Sequence, residues 1–429
     1  MSLLTRFHSG RVRQHGAGLV EVMVGLLIGM VVIVVVYNVL SVAENYKRTT
    51  TGAADSQITG LLTQFVAGRD AGNGGAGITM STGTVTAPVD LGNCNKLEGG
   101  GGIGGLPNSA LEVAMRPIPV LITDGGGAGV SDSFIAFSTG AAHVMWPVDL
   151  TSASPVGGPV IVQSPNGFTV PTPTFVAPYW AVMMANDSTG RCKIVKVIDA
   201  VPDPTVPLTG RVTLTLDGTA TTAISYTTGG PARLLNLGPQ GLATRIQYDV
   251  DPVNAVLRTT DLLTTNALVV NPVAQNIVLM KAQYGIDTDN NGLVDCWSSA
   301  VVGVCGDFTD AAVRNFTNLQ MSRILAVRVG VVVRSDEPDL RALNSPGDAV
   351  IQAEARALKA STPRPPVILF NCSANTSAAC QNRIVVPAGA GAPLGSPTCA
   401  PFVICDFWRY RSFETIIPLR NAIYSATQP

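Results

Sequence analysis

Histidine is nearly missing from this 429-residue chain. There are three, His8, His15 and His143, and two lie in the first sixteen residues. A nucleophile–histidine triad would have to be built on His143, and a histidine-rich zinc site is unavailable. His143 sits in the apolar run AAHVMW, which suits a packed core or strand-edge imidazole. Charge is also thin: only 13% of residues are charged, and 28 Lys+Arg against 29 Asp+Glu leave a net charge of -1. No basic surplus points to nucleic acid. The eight cysteines (94, 192, 296, 305, 372, 380, 399 and 405) form no CxxC pair, which argues against zinc-ribbon and dithiol redox motifs. Long hydrophobic runs are absent but for one.

What is abundant is glycine, with 44 residues, and proline, with 29. With so few charges, that mixture suits a loop-rich β protein and not a helical bundle. Short apolar runs bounded by Gly, Pro, Asn or Asp predict strands at 111–115, 134–137, 180–184, 194–198, 212–216 and 246–250. Further strands are expected at 277–285, 323–334 and 413–419, with a polar, helical stretch before 323. The glycine run at 99–105 reads as a surface loop, because no strand–loop–helix context or following Lys makes it a phosphate cradle.

The one long apolar run is 17–40, where Glu21 is the only charged side chain. At ~1.5 Å per residue such a helix spans a hydrocarbon core of about 30 Å. A carboxylate within it costs on the order of 2–3 kcal/mol at the bilayer centre and needs a partner. Residues 1–16 carry Arg6, Arg11 and Arg13 and no acid, so they read as a cytoplasmic leader with the rest exported. Cleavage after Gly16 would create a cationic α-amine at Ala17, close to Glu21. Ser41-Val42-Ala43 has the small-x-small form of a secretory cleavage site, but the preceding run is too long for a signal-peptide core. Gly25 and Gly29 are four apart, a spacing that lets helices approach closely.

From 41 to 67 the helix is expected to continue as an amphipathic half, with Val42, Tyr46, Ile58, Leu61, Leu62, Phe65 and Val66 toward a folded domain. Residues 47–52 are a weak point for a bend, and a glycine-rich loop is expected to end the helix around 68–77.

Asp287, Asp289, Asn291 and Asp295 stand at positions 1, 3, 5 and 9 of a turn, with Gly292 at position 6 and the Leu293 carbonyl at position 7. That is the front of an EF-hand-like calcium loop. Ser298 takes position 12, where a bidentate Glu belongs, so Asp307 or Asp310 would have to close the site. The competing reading is an Asx-rich hairpin turn. In an oxidising compartment the near neighbours Cys296–Cys305, Cys372–Cys380 and Cys399–Cys405 could each staple a loop, leaving Cys94–Cys192 as a long-range bridge. Eight cysteines allow on the order of a hundred pairings, so this one is an expectation.

A short basic leader, Gly16, and Glu21 inside an apolar helix together resemble a type IV prepilin. A YGID strand end, the Asp-rich turn followed by Trp297, AVRVGVVVRS at 326–335 and a terminal PLRN narrow the resemblance to the minor pilins of the PilW family. LLNLG at 234–238 and the strand around Tyr248 fit it too. The resemblance implies an α+β fold, a long N-terminal helix packed on a large antiparallel β domain. Its divisions would be leader 1–16, membrane or filament-core helix 17–40, amphipathic half-helix 41–67 and periplasmic domain 68–429. It implies cleavage between Gly16 and Ala17 and N-methylation by a prepilin peptidase. It also implies a structural, non-enzymatic role in priming pilus assembly near the tip. The implied partners are other minor pilins, the major pilin, the inner-membrane assembly platform and a tip adhesin. The chain would reside in the inner membrane before reaching the pilus. Two rivals remain: a J-type pseudopilin of type II secretion, and a signal-anchored, calcium-binding periplasmic module or hydrolase.

Overall fold

A computed structural model describes residues 18–76, 96–99, 118–126, 130–139, 147–151, 159–163, 168, 179–184, 191–203, 210–216, 233–239, 244–251, 253–262, 270–336, 367–370, 383–384 and 410–419. The chain divides into two units, 1–53 and 54–429. Helix α1 (Leu19–Asn73) contributes to both.

In the first unit the helical residues 19–40 are all exposed. The segment runs unbroken through 47–52, where a bend was expected. There the Thr50 and Thr51 hydroxyls donate back to the Tyr46 and Lys47 carbonyls, both at 2.9 Å, and so stay within the helix.

In the second unit the strands follow in order. First come β1 (Lys96–Gly99), β2 (Val120–Thr123), β3 (Ser133–Ser138), β4 (Val148–Asp149), β5 (Val160–Val162), β6 (Tyr179–Met184) and β7 (Arg191–Pro202). Then come β8 (Val212–Leu216), β9 (Arg233–Pro239), β10 (Thr244–Asp251), β11 (Val256–Asp261), β12 (Val270–Gln275), β13 (Ile277–Ile286) and β14 (Cys296–Ser298). After β15 (Val302–Gly303) and β16 (Gly306–Asp307) stand two short helices, α2 (Asp310–Arg314) and α3 (Asn318–Ser322). The remainder is β17 (Ile324–Arg334), β18 (Val367–Ile368), β19 (Arg383–Ile384) and β20 (Tyr410–Pro418). The expected strands from 134 onward all fall on these elements; that at 111–115 lies outside the described residues.

Three sheets organise them. One has the order β12-β11-β10-β3-β2, a second β14-β13-β17-β20, and a third β4-β9-β6-β7-β8-β5 with β1 parallel to β7. The third sheet is an excursion: β3 pairs with β10, so the chain leaves the first sheet at Ser138 and re-enters beside it at Thr244. The Ser138 and Thr244 hydroxyls meet at 2.9 Å.

Strands β13 and β17 are buried on both faces, which explains why RILAVRVGVVVR is almost continuously apolar. One face joins the main core with Phe134, Tyr248 and Tyr284; the other meets Leu369 and Phe370. Fully burying such side chains contributes roughly 1.5–3 kcal/mol each. The excursion sheet is two-faced as well. Trp180, Val182, Met184, Leu235 and Leu237 join the main core, while Ala181, Met183 and Leu234 face a second core with Val160, Phe168 and Leu214.

Residues 54–73 of α1 pack differently from expectation. The stripe turned inward is Ser56, Gly60, Thr63, Ala67 and Ala71, whereas Ile58, Leu61, Leu62 and Phe65 are exposed. Tyr46 is exposed too, and of the expected inward set Val66 alone packs against the core; the Val42 side chain lies outside the described residues. Small side chains let the helix axis approach the sheet, and Gly60 lies directly on the Phe413 ring of β20. The helix also continues past Gly68 to Asn73, because Ala67 and Ala71 lock this last stretch into the core. That packing overrides the low helix propensity of glycine.

Candidate functional site

Two stretches carry the chemistry read from the sequence: the start of α1 and the Asp-rich turn. Gly16 and Ala17, the expected processing site, lie outside the described residues. Glu21 stands in the first turn of α1, where its N–H donates to the Gly18 carbonyl at 2.9 Å. A carboxylate there sits at the positive end of the helix dipole. Leu19–Leu40 is a helical segment of 22 residues, long and apolar enough to cross a membrane. At ~1.5 Å per residue it measures about 33 Å. Gly25 and Gly29 open onto free space, so this face is available to a second helix.

The Asp turn connects β13 to β14. It is pinned at its base by two backbone bonds, Asp287 N–H to the Arg323 carbonyl and Asp295 N–H to the Ile286 carbonyl, both 2.9 Å. Asp287 is buried, and its carboxylate accepts from the N–H groups of Asn291 at 3.1 Å and Gly292 at 2.7 Å. Asp289 accepts from Asn291 N–H and side-chain amide, and the Asn291 side-chain oxygen accepts from Leu293 N–H at 2.7 Å. Asn290 and Gly292 take positive φ, 61° and 82°, which makes the sharp reversal. Asp295 accepts from the Thr288 N–H at 3.0 Å and hydroxyl at 3.1 Å, and these bonds hold its carboxyl below the usual range.

One oxygen from each of Asp287, Asp289 and Asp295 lies within 4.8 Å of the other two. Three carboxylates this close repel one another unless a cation or proton joins them. Hard oxygens at alternate positions with a glycine at the reversal suit calcium. The closing acid expected from Asp307 or Asp310 is not there. Asp307 accepts from the Thr309 N–H and hydroxyl, and Asp310 is engaged by Arg314 and the Thr123 hydroxyl. Both serve the start of α2, where Thr309 is the N-cap, so the turn brings only the front half of a calcium loop together.

Behind the turn, Cys296 is bonded to Cys305, as expected from their proximity. Cys94, Cys372, Cys380, Cys399 and Cys405 and the Cys192 side chain lie outside the described residues, as does His143, so the other expected bridges do too. Trp297 stacks its ring edge on Gly285, 3.0 Å from where a Cβ would stand. The Arg328 guanidinium lies over Trp297 at 5.0 Å and over Phe370 at 4.2 Å, and donates to Gln283 at 2.9 Å. These contacts hold the turn to β13 and β17.

Residues 246–421 match the family model of type IV pilus-assembly protein W, PilW. Over those residues the chain is similar to the PilW family. No curated protein and no solved structure matches it. The PilW match begins inside β10 and runs past β20, so it takes in the Asp turn and the whole four-stranded sheet. That likeness ties residues 246–421 to a type IV pilus-assembly protein.

Sequence reading missed two other groupings in this unit. Tyr248 reaches Asp70 of α1, and Lys281 is buried against Asp132. The only advance sign of the second was a lysine inside the apolar run IVLMKAQYG.

Proposed function

We propose that this protein is a minor pilin that helps prime type IV pilus assembly and sits near the filament tip. Its N-terminus would be cut after Gly16 and N-methylated at Ala17. The observation that carries the reading is an exposed apolar helix of membrane-spanning length, Leu19–Leu40, on a chain whose residues 246–421 match the PilW family model. In the membrane that helix would anchor the chain in the inner membrane with the β domain in the periplasm. On assembly it would move among the helices of neighbouring subunits, where Gly25 and Gly29 permit close approach. Glu21 would then pair with an α-amine of its own or a neighbouring chain. A free α-amine has a pKa of about 7.7–8.0, and methylation keeps a cation available. Its partners would be other minor pilins, the major pilin, the assembly platform and a tip adhesin. No catalytic role is assigned to it.

The Asp turn we propose as a calcium-stabilised element of the same domain. Asp287, Asp289 and Asp295 would supply carboxylate oxygens, Asn291 its amide oxygen and Leu293 its carbonyl.

Intact-mass measurement of the protein from membranes and from sheared pili tests the main reading. A chain beginning at N-methylated Ala17 is expected in both. A chain that retains residues 1–16, or one cut after Ala43, would overturn it. Encoding of the gene beside secretion components instead of pilus components would favour the pseudopilin reading.

A further inference from the structure

Lys281 occupies the middle of β13, between Met280 and Ala282 of the main core. Its side chain is 2% exposed, and that of Asp132 is 1% exposed. A lysine so deeply buried is rare, and transferring an ammonium and a carboxylate out of water costs several kcal/mol each. The surroundings are built around this pair. Asp132 N–H donates to the Met280 carbonyl at 2.8 Å, and the Met280 N–H donates to the Ser131 hydroxyl at 3.2 Å. These bonds dock the segment before β3 onto β13. Lys281 Nζ then lies 2.7 Å from Asp132 Oδ1. The same oxygen accepts from Gly125 N–H at 3.0 Å, and Oδ2 accepts from Ala282 N–H at 3.0 Å.

A second acid completes the group. Asp124, at the end of β2, places Oδ1 3.5 Å from Nζ and is 23% exposed. Its other oxygen is fixed by the Gly126 N–H at 3.0 Å. Two carboxylates therefore face one amine in a pocket that admits little water. Desolvation raises the Asp132 carboxyl above the ordinary range, against the opposing pull of Lys281 and the two N–H donors. Condensation draws on the neutral pair, an amine and a carboxylic acid, in which no charge is buried.

We propose that Lys281 and Asp132 join in an intramolecular isopeptide bond, with Asp124 as the proton carrier. The Nζ lone pair attacks Asp132 Cγ, and the oxyanion forming at Oδ2 is held by the Ala282 N–H. Asp124 takes a proton from Nζ and returns it to the departing Oδ1 hydroxyl. The Nζ–Cγ bond forms, the Cγ–Oδ1 bond breaks, and one water leaves. The ammonium and carboxylate together become an amide and water, so charge and atoms balance without oxidant or cofactor. Fixed geometry supplies the rate, since a folded pocket makes the encounter intramolecular. The bond would tie the four-stranded sheet to the five-stranded one between positions 149 apart in sequence. A subunit that carries load at a filament tip gains from such a tie, though the bond does not depend on that role.

The test is a peptide map of the full chain, purified in detergent, reduced, alkylated and digested with trypsin. We expect no cleavage at Lys281 and one branched peptide containing both Lys281 and Asp132, lighter by the mass of one water than its two parts. In Asp124→Asn, whose side chain lies at the pocket rim, we expect the Asp132 segment unjoined and cleavage restored after Lys281. Recovery of the wild-type peptides as separate, unmodified species overturns the proposal, whatever the variants do. Complete joining in Asp124→Asn overturns the part given to Asp124. Because the decisive measurement is on the wild-type chain, a variant that fails to fold does not obscure the result.

Discussion

The phenolic oxygen of Tyr248 donates to the Asp70 carboxylate of α1 at 2.5 Å, while the Tyr248 ring stacks on Phe134 with centroids 4.7 Å apart. One side chain thus fastens the end of the helix to the middle of the five-stranded sheet. Burial, and then the bond to Asp70, push the phenol above its ordinary value, so it stays a donor. Tyr248→Phe keeps the stacked ring and removes only the bond. A hydrogen bond to a charged group is worth about 1.5–3 kcal/mol, so chemical denaturation should show a loss in that range. A loss below about 0.5 kcal/mol would mean that Asp70 is satisfied by Arg69 alone, whose Nε lies 2.6 Å from its carboxylate.

Gly60 permits the closest approach between α1 and the sheet, because a Cβ there would enter the Phe413 ring. Gly60→Ala would ordinarily strengthen a helix by up to about 1 kcal/mol. Here overpacking reverses the sign, and we expect a net loss of about 1–3 kcal/mol in thermal or chemical denaturation. Pairing it with Phe413→Ala should recover part of that loss in a double-mutant cycle. Strict additivity would place the two side chains out of contact.

Glu21 is expected to matter for assembly and not for folding. Glu21→Ala should be made, inserted and processed at normal levels, yet be depleted in sheared pili relative to membranes on immunoblots. An unpaired charge left in an apolar filament core costs several kcal/mol, so depletion should be tenfold or greater, since about 1.4 kcal/mol is tenfold. Normal incorporation would remove the pairing argument.

Calcium titration of the protein in a calorimeter should give a saturable heat that chelator abolishes. Asp289→Ala should lose that heat while keeping the fold, because Asp289 is exposed and bonds only within the turn. Acid should act in one direction. The Asp295 carboxyl is held below its ordinary value by the Thr288 N–H, so its contribution persists above the unfolded value and disappears as pH falls through the lower folded one. Binding should therefore be intact at neutral pH and weaken only in acid, as the Asp295 carboxylate takes up its proton.

Cys296–Cys305 closes a short loop, with a sequence separation of 9. Cys296→Ser with Cys305→Ser should cost about 2–3 kcal/mol by the chain-entropy argument, read in denaturant. Since the bridge lies directly behind the Asp turn, calcium affinity should fall in the same variant.

Much of this was legible because the physical signals were strong and local. β-branched residues in unbroken runs marked β13 and β17, and those strands are buried on both faces as such runs require. The cysteines nine apart, and the Asx turn, needed only neighbours in sequence. Side-chain size is the wrong guide to the inward face of α1. In a helix that lies close on a sheet, Gly60, Ala67 and Ala71 make the contact and Leu61 and Phe65 are left outside. Asp307 and Asp310 are not free for the calcium turn, because Thr309 engages the first and Arg314 with Thr123 the second. Asp132 and Lys281 meet across 149 positions, and no local pattern announces a pairing at that range.

The excursion from Ser138 to Thr244 leaves and returns through hydrogen-bonded neighbours, so its loops can grow or shrink without moving the strands that frame it. Its two central strands are another matter. Alternate residues of β6 and β9 plug the main core, so excising the whole lobe would open a greasy wound in the remaining sheets. Variation in this lobe is thereby channelled to its rim, while Trp180, Val182 and Leu235 hold still.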